Sequence, residues 1–186
     1  MGAAFVVVMA VAFFALLFRR QAAAPTPPAP RRAEPSRADM PEAPADLSWS
    51  RGDLERLIRQ ISAEERFELP EVAIAIARVE SSMDPRAVNP LDGGTESLGL
   101  FQMKLWLAQH YNPSISDRAD MLSPELNARA AVRWLSDLTR RYLPEYGLDG
   151  VIQMHSLGET KFRTGTRNPG YLAKVRAELA NVAAGR

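Results

Sequence analysis

A proline-rich block decides where this chain of 186 residues can build a core. Seven prolines (Pro25, Pro27, Pro28, Pro30, Pro35, Pro41 and Pro44) fall between Arg19 and Asp46, among alanines, arginines and a few acids. Proline fixes φ and lacks a backbone donor, so such a stretch builds no packed structure of its own. Residues 19–46 therefore read as a linker, and the core must come from residues 47–186. Ahead of the linker, residues 2–18 (GAAFVVVMAVAFFALLF) carry no charge and stop at Arg19 and Arg20. Spanning a bilayer takes roughly 17–25 apolar residues, which puts this run at the short end of a transmembrane helix. A cleaved signal peptide begins with a basic segment and ends on small residues. Here only the amine of Met1 precedes the run, and Ala22–Ala24 follow the two arginines. The run reads as a transmembrane anchor or uncleaved signal, ahead of a cleaved signal peptide and of a buried core helix. One conflict stands: the arginines follow the span, and the positive-inside rule would then hold the rest of the chain in the cytoplasm.

Composition removes several chemistries. With Cys at 0, disulfides, thiolate metal sites and a cysteine nucleophile are excluded. His110 and His155 are too few for a multi-histidine metal site, so neither a metal nor another cofactor is expected. Lys and Arg total 23 against 22 Asp and Glu, a net charge of +1, without the basic excess of a nucleic-acid binder.

Within residues 47–186 the patterning is helical. Ser50 caps a helix from Asp53 to Ile61, with Leu54, Leu57, Ile58 and Ile61 as its apolar stripe. Pro70 opens a second helix, Glu71 to about Ser82, apolar enough to lie inside the core. A third is expected over Leu98 to Tyr111. A fourth starts at Ser123-Pro124-Glu125 and runs to about Tyr142, with Pro144 and Gly147 as breakers. Gly150 to Leu157 and Asn168 to Val182 supply two more. Strand signals are confined to a small irregular hairpin between Pro90 and Leu98. The fold class is mainly α.

Glu80 breaks the local rules. It sits at the C-terminal end of the most apolar helix, where the helix dipole disfavours a carboxylate and burial of the charge is costly. A carboxyl group in a partly desolvated pocket keeps its proton nearer neutral pH and can donate it. The bland alternative is an ion pair with Arg78 or Arg86. The residues that follow weigh against it: A-R-V-E-S-S-M-D-P-R-A-V-N-P (residues 77–90), S-L-G-L-F-Q-M (97–103), Ser123-Pro124-Glu125-Leu126-Asn127, and Tyr171-Leu172-Ala173-Lys174-Val175. In this order and spacing the chain resembles the soluble-lytic-transglycosylase (SLT) like family, whose fold is lysozyme-like and α-helical.

That resemblance implies cleavage of the β-1,4 bond between N-acetylmuramic acid and N-acetylglucosamine in peptidoglycan glycan strands. Glu80 matches the family's sole catalytic carboxyl group, first an acid to the glycosidic oxygen and then a base to the muramic O6 hydroxyl, closing a 1,6-anhydro ring. Two-carboxylate glycosidases need a second acid ~5–9.5 Å away. Asp84 falls in the family's turn segment, whereas Asp92 and Glu96 lie in a loop longer than usual, and a hydrolytic lysozyme using one of them is the nearest rival.

By the same resemblance Asn89 and Gln102 hold the carboxyl group or the sugar, and Gly99 allows close backbone approach. Phe101 and Met103 line the groove, with core packing the alternative for at least one of them. Tyr171 joins the substrate-binding set. The departure is Met154-His155-Ser156-Leu157-Gly158, where the family has Tyr-Asn-x-Gly. His155 stands for the tyrosine and Ser156 for the asparagine, so rate, pH optimum or product are expected to differ. Lys161, Arg163 and Arg167 offer a grip on stem-peptide carboxylates, or a solvated loop. The altered motif also leaves room for a catalytically weak, wall-binding module of an envelope or virion apparatus. The expected location is an anchored domain facing the periplasm and cell wall, with the membrane or tail of a phage virion as the alternative.

Overall fold

The computed structural model describes residues 48–90 and 94–186. The expected anchor, linker and Asp92 lie outside the described residues, among which no helix is long and apolar enough to cross a membrane.

Helix α1 (Arg51–Glu64) starts where the sequence places it and runs a turn further. Ser50 and Asp53 form a reciprocal cap: the Asp53 amide donates to Ser50 Oγ at 3.2 Å, and the Ser50 amide to Asp53 Oδ2 at 3.1 Å. Leu54, Ile58 and Ile61 are fully buried. Helix α2 (Pro70–Ser81) carries proline in its first turn, and every residue from Val72 to Arg78 is buried. Its apolar perimeter has a simple cause: α1, the long helix Pro124–Leu157 and the last helix Pro169–Ala183 all pack on it.

After α2 the chain turns back at once. Ser82 and Met83 both take left-handed backbone conformations, with φ of 56° and 68°. Strands β1 (Val88–Asn89) and β2 (Ser97–Leu98) then pair antiparallel, Val88 with Leu98 and Asn89 with Ser97. The expected helix from Leu98 is corrected here: α3 spans only Leu105–Tyr111. Gly99 (φ 75°) and Gln102 (φ 47°) are left-handed, so residues 99–103 form a tight turn that returns Met103 to pair with Leu98. Only glycine suits position 99, because a Cβ there would lie 2.2 Å from the Met121 carbonyl oxygen.

A short 3-10 turn (Asp120–Leu122) leads into α4 (Pro124–Leu157), capped by Ser123. The two helices expected on this stretch join across a kink at Gly147 (φ 63°, ψ −177°). Pro144, the other expected breaker, stays within the helix; it is exposed, and water can take the carbonyl whose partner it removes. Helix α5 (Glu159–Arg163) was not expected; Phe162 anchors it, its ring edge-on to Tyr146 with centroids 5.3 Å apart. Helix α6 (Pro169–Ala183) follows an Asn168 cap.

Asn127, fully buried on the first turns of α4, fastens the turn at 99–103. Its Oδ1 accepts the Phe101 amide at 2.9 Å, and its Nδ2 donates to the carbonyls of Leu98 (3.0 Å) and Met121 (3.1 Å). Replacing this amide with leucine leaves the Phe101 amide and the Met121 carbonyl without it, at about 1–3 kcal/mol each, while the Leu98 carbonyl keeps the Met103 amide. Asn127→Leu is expected to lower stability by at least ~2 kcal/mol in urea unfolding.

Candidate active site

A groove of about 960 Å³ opens beside the C-terminal end of α2. Ligand clefts are commonly about 300–1,000 Å³, so this one is large. One wall comes from β2, the turn and α3 (Ser97, Gln102, Met103, Trp106, His110), the other from the end of α4 and α5 (His155, Ser156, Gly158, Lys161). Glu80 and Tyr171 complete its lining.

Glu80 is not paired with Arg78. The Arg78 guanidinium binds Glu55 at 2.6 Å, Glu178 at 3.2 Å and the Arg186 carbonyl at 2.7 Å, tying α2 to α1 and to the end of the chain. The Glu80 side chain, 19% exposed, instead accepts the Tyr171 hydroxyl at 2.6 Å on Oε1. His155 Nδ1 lies 3.4 Å from the same oxygen and 3.3 Å from the Tyr171 oxygen. Tyr171 has one proton, and its short contact with Glu80 claims it. The hydrogen-bond network therefore assigns the His155 proton to Nδ1, donating toward Tyr171. The other ring nitrogen, Nε2, is buried without a hydrogen-bond partner, and the ring stacks on Trp134 with centroids 4.7 Å apart.

What aims Tyr171 is a set of contacts at the start of α6. Asn168 accepts the Tyr171 amide at 3.1 Å, donates its side-chain amide to Ser156 Oγ at 3.0 Å, and gives its backbone amide to Gln153 Oε1 at 2.9 Å. Asn168, Gln153 and Trp134 were absent from the sequence-based site. Asn168 sits at the expected start of the last helix, and the signal for Gln153 and Trp134 was the burial that an amide and an indole on the inner face of a long helix imply. On the other side, Ser81 Oγ donates to the Leu100 carbonyl at 2.8 Å and holds the turn against α2.

The remaining predicted residues divide. Asn89, Gln102, Met103, His155, Ser156 and Tyr171 line the groove with Glu80. Phe101 does not: it is fully buried in the core, which corrects the expectation that it lines the groove. Gln102 has its Nε2 engaged by the carbonyls of Ala87 (3.0 Å) and Gly99 (2.9 Å), so it braces the turn as well as facing the groove. Of the basic cluster, Lys161 alone lines the groove. Arg163 pairs with Glu159, and Arg167 lies over the Phe162 ring while donating to its carbonyl. Of the rival acids, Asp84 accepts the Arg86 amide, and Glu96 pairs with Arg118 at 2.9 Å. Glu159 is a second groove carboxylate. Hydrogen bonding to Tyr142, with Arg141 and Arg163 adding their charge, holds its carboxyl below the usual range. Among the described residues no group of three His, Asp or Glu is placed to hold a metal ion.

A family model described as the transglycosylase SLT domain matches residues 57–148. The match supports an SLT-like lytic transglycosylase with a lysozyme-like fold, and members of this domain family are lytic transglycosylases acting on peptidoglycan. None of the curated proteins matches the chain. The matched segment contains Glu80 and the turn at 99–103 but ends before His155 and Tyr171.

Two groove phenols titrate abnormally. Burial, and then the hydrogen bond to Asp137 (2.9 Å), pushes Tyr111 up to about 12. Burial, and then the charge of Glu80 and its hydrogen bond, pushes Tyr171 up as well. Both values are raised on folding, so their contribution to stability is whole below the unfolded value of about 10 and is lost as pH rises beyond it. Ultraviolet titration should show Tyr111 and Tyr171 ionising late, and stability should decline between about pH 10 and 12.

Proposed function

We propose that this protein is a membrane-anchored lytic transglycosylase that cleaves the MurNAc-β-1,4-GlcNAc bond, with Glu80 as its one general acid and base and a 1,6-anhydro-muramic end as product. The observation that carries this reading is a carboxyl group in the wall of a large groove, held on one oxygen by a phenol 2.6 Å away. With Oε1 accepting from Tyr171, the acidic proton belongs on Oε2. It passes to the glycosidic oxygen as the C1–O bond breaks, and the substrate's own N-acetyl oxygen steadies the positive charge at C1. Ionised Glu80 then takes the O6 proton while O6 bonds to C1, so each turnover returns the carboxyl group to its starting state without water. Tyr171, its own ionisation pushed up by burial, remains a donor to Oε1 throughout.

Hydrolysis needs a second carboxylate to activate water or trap the sugar. Glu159 is engaged by Tyr142, Arg141 and Arg163, which favours the single-carboxylate route. The groove lining of Glu80, Asn89 and Gln102 favours an enzyme over a wall-binding module. The anchor reading rests on the uncharged run at residues 2–18 and the proline-rich spacer after it. A periplasm-facing domain, or one carried by a phage virion, suits the substrate, although the arginines after the run argue for the opposite orientation.

Glu80→Gln is expected to abolish clearing of a peptidoglycan zymogram, and wild type to release muropeptides lighter by one water than hydrolysis products. Equal clearing by both forms refutes the role of Glu80, and hydrated products refute the ring closure. Tyr171→Phe should reduce turnover about ten- to a hundredfold with little change in KM, less than the ~10²–10⁴-fold of a group that itself transfers the proton, because Tyr171 only orients Glu80. Protease access to the domain in intact cells and in spheroplasts tests its orientation.

A further inference from the structure

Four large apolar side chains are conspicuously exposed among the described residues: Trp49, Val88, Trp106 and Leu143. Only Trp106 lines the groove, and at 66% exposed it is the most open of the four. Its helix does not need it. Helix α3 is held by buried Ala108, by Leu105, Leu107 and Tyr111 against the core, and by the Tyr111–Asp137 hydrogen bond. An indole left in water costs free energy that packing here does not return, and its place is in the wall that also carries Met103 and Gln102, in the groove that Glu80 lines.

We propose that Trp106 is a stacking platform, a subsite flanking the position of bond cleavage that takes the apolar face of an N-acetylhexosamine ring in a β-1,4-linked glycan. This rests on the reading of the groove as a glycan site. A pyranose ring presents axial C–H groups on its faces and hydroxyls at its rim. A flat indole matches the face, while the rim needs polar partners. The groove supplies these beside Trp106: His110 one helical turn along α3, and Lys104 two residues before it. Lys161 on the opposite wall adds a cation that suits the lactyl or peptide carboxylates of a muramyl residue. Glu80 lines the same groove, so a ring on Trp106 fixes the register of the strand without touching the reacting atoms.

The test is calorimetric titration of the full chain, carrying Glu80→Gln to prevent turnover, with the β-1,4 tetramer of N-acetylglucosamine. Adding Trp106→Ala should weaken binding about tenfold or more, and Trp106→Tyr should restore most of the loss. In the active protein, Trp106→Ala should raise KM on peptidoglycan far more than it lowers kcat. Absence of tetramer binding in the parent, or equal affinity of parent and Trp106→Ala, overturns the platform. Should Trp106→Ala fail to fold, acrylamide quenching of a Trp49→Phe background decides: saturating tetramer must shield the exposed indole, and unchanged quenching is a refutation. Failure of Glu80 as the acid leaves these titrations intact, and failure of the platform leaves the zymogram result intact.

Discussion

The turn that shapes the active groove is held by one buried amide. Residues 99–103 reverse the chain through two left-handed positions, so no regular ladder or helix satisfies their backbone. Asn127 supplies what the turn lacks, one acceptor and two donor hydrogens placed on the rigid start of α4. A carboxylate could not donate and a hydroxyl could not reach all three partners, which leaves an amide as the fitting chemistry. The close approach of Asn127 and the Met121 carbonyl also explains the glycine at 99, where any side chain would strike both. Everything on that wall of the groove, from Gln102 to Trp106, leaves the core through this fastening.

Among the described residues, charge is distributed so that Glu80 meets no guanidinium. Arg78, two residues away on the same helix, faces Glu55 and Glu178. Arg129 is shared among Glu64, Glu65 and Glu125, and Arg141 between Asp137 and Glu159. A guanidinium beside a carboxylate favours the ionised form, which suits a structural pair and hinders a proton donor. The partner Glu80 does have, the Tyr171 phenol, orients it with a hydrogen bond, and the His155 imidazole donates in turn to that phenol oxygen. The geometry thus separates structural acids from the one acid in the proposed chemistry.

The two walls of the groove differ in how they are built. One is a hairpin of two-residue strands, a turn held by Asn127 and Ser81, and a seven-residue helix packed on the core. The other follows from the Gly147 kink, which redirects the end of α4 and lets α5 pack its Phe162 on Tyr146. Both rest on α4, so the groove is a space left between irregular elements on a regular helical frame.

The sequence by itself determined the helical frame and the acid. Caps at Ser50, Ser123 and Asn168, prolines at 70, 124 and 169, and a wholly apolar segment at 72–77 are local signals with local consequences, and the helices they announce are present. Glu80 was visible because a carboxylate at the end of such a segment contradicts its surroundings. The tertiary structure alone decided the rest. The helix expected from Leu98 gave way to a turn because contacts with Ala87, Met121 and Asn127 outweigh local propensity. Phe101, whose place periodicity left open, went to the core. That Tyr171, 91 residues beyond Glu80, should be its hydrogen-bond donor follows from α6 packing on α2. No spacing rule encodes such a meeting, because chain separation says nothing about distance once helices pack.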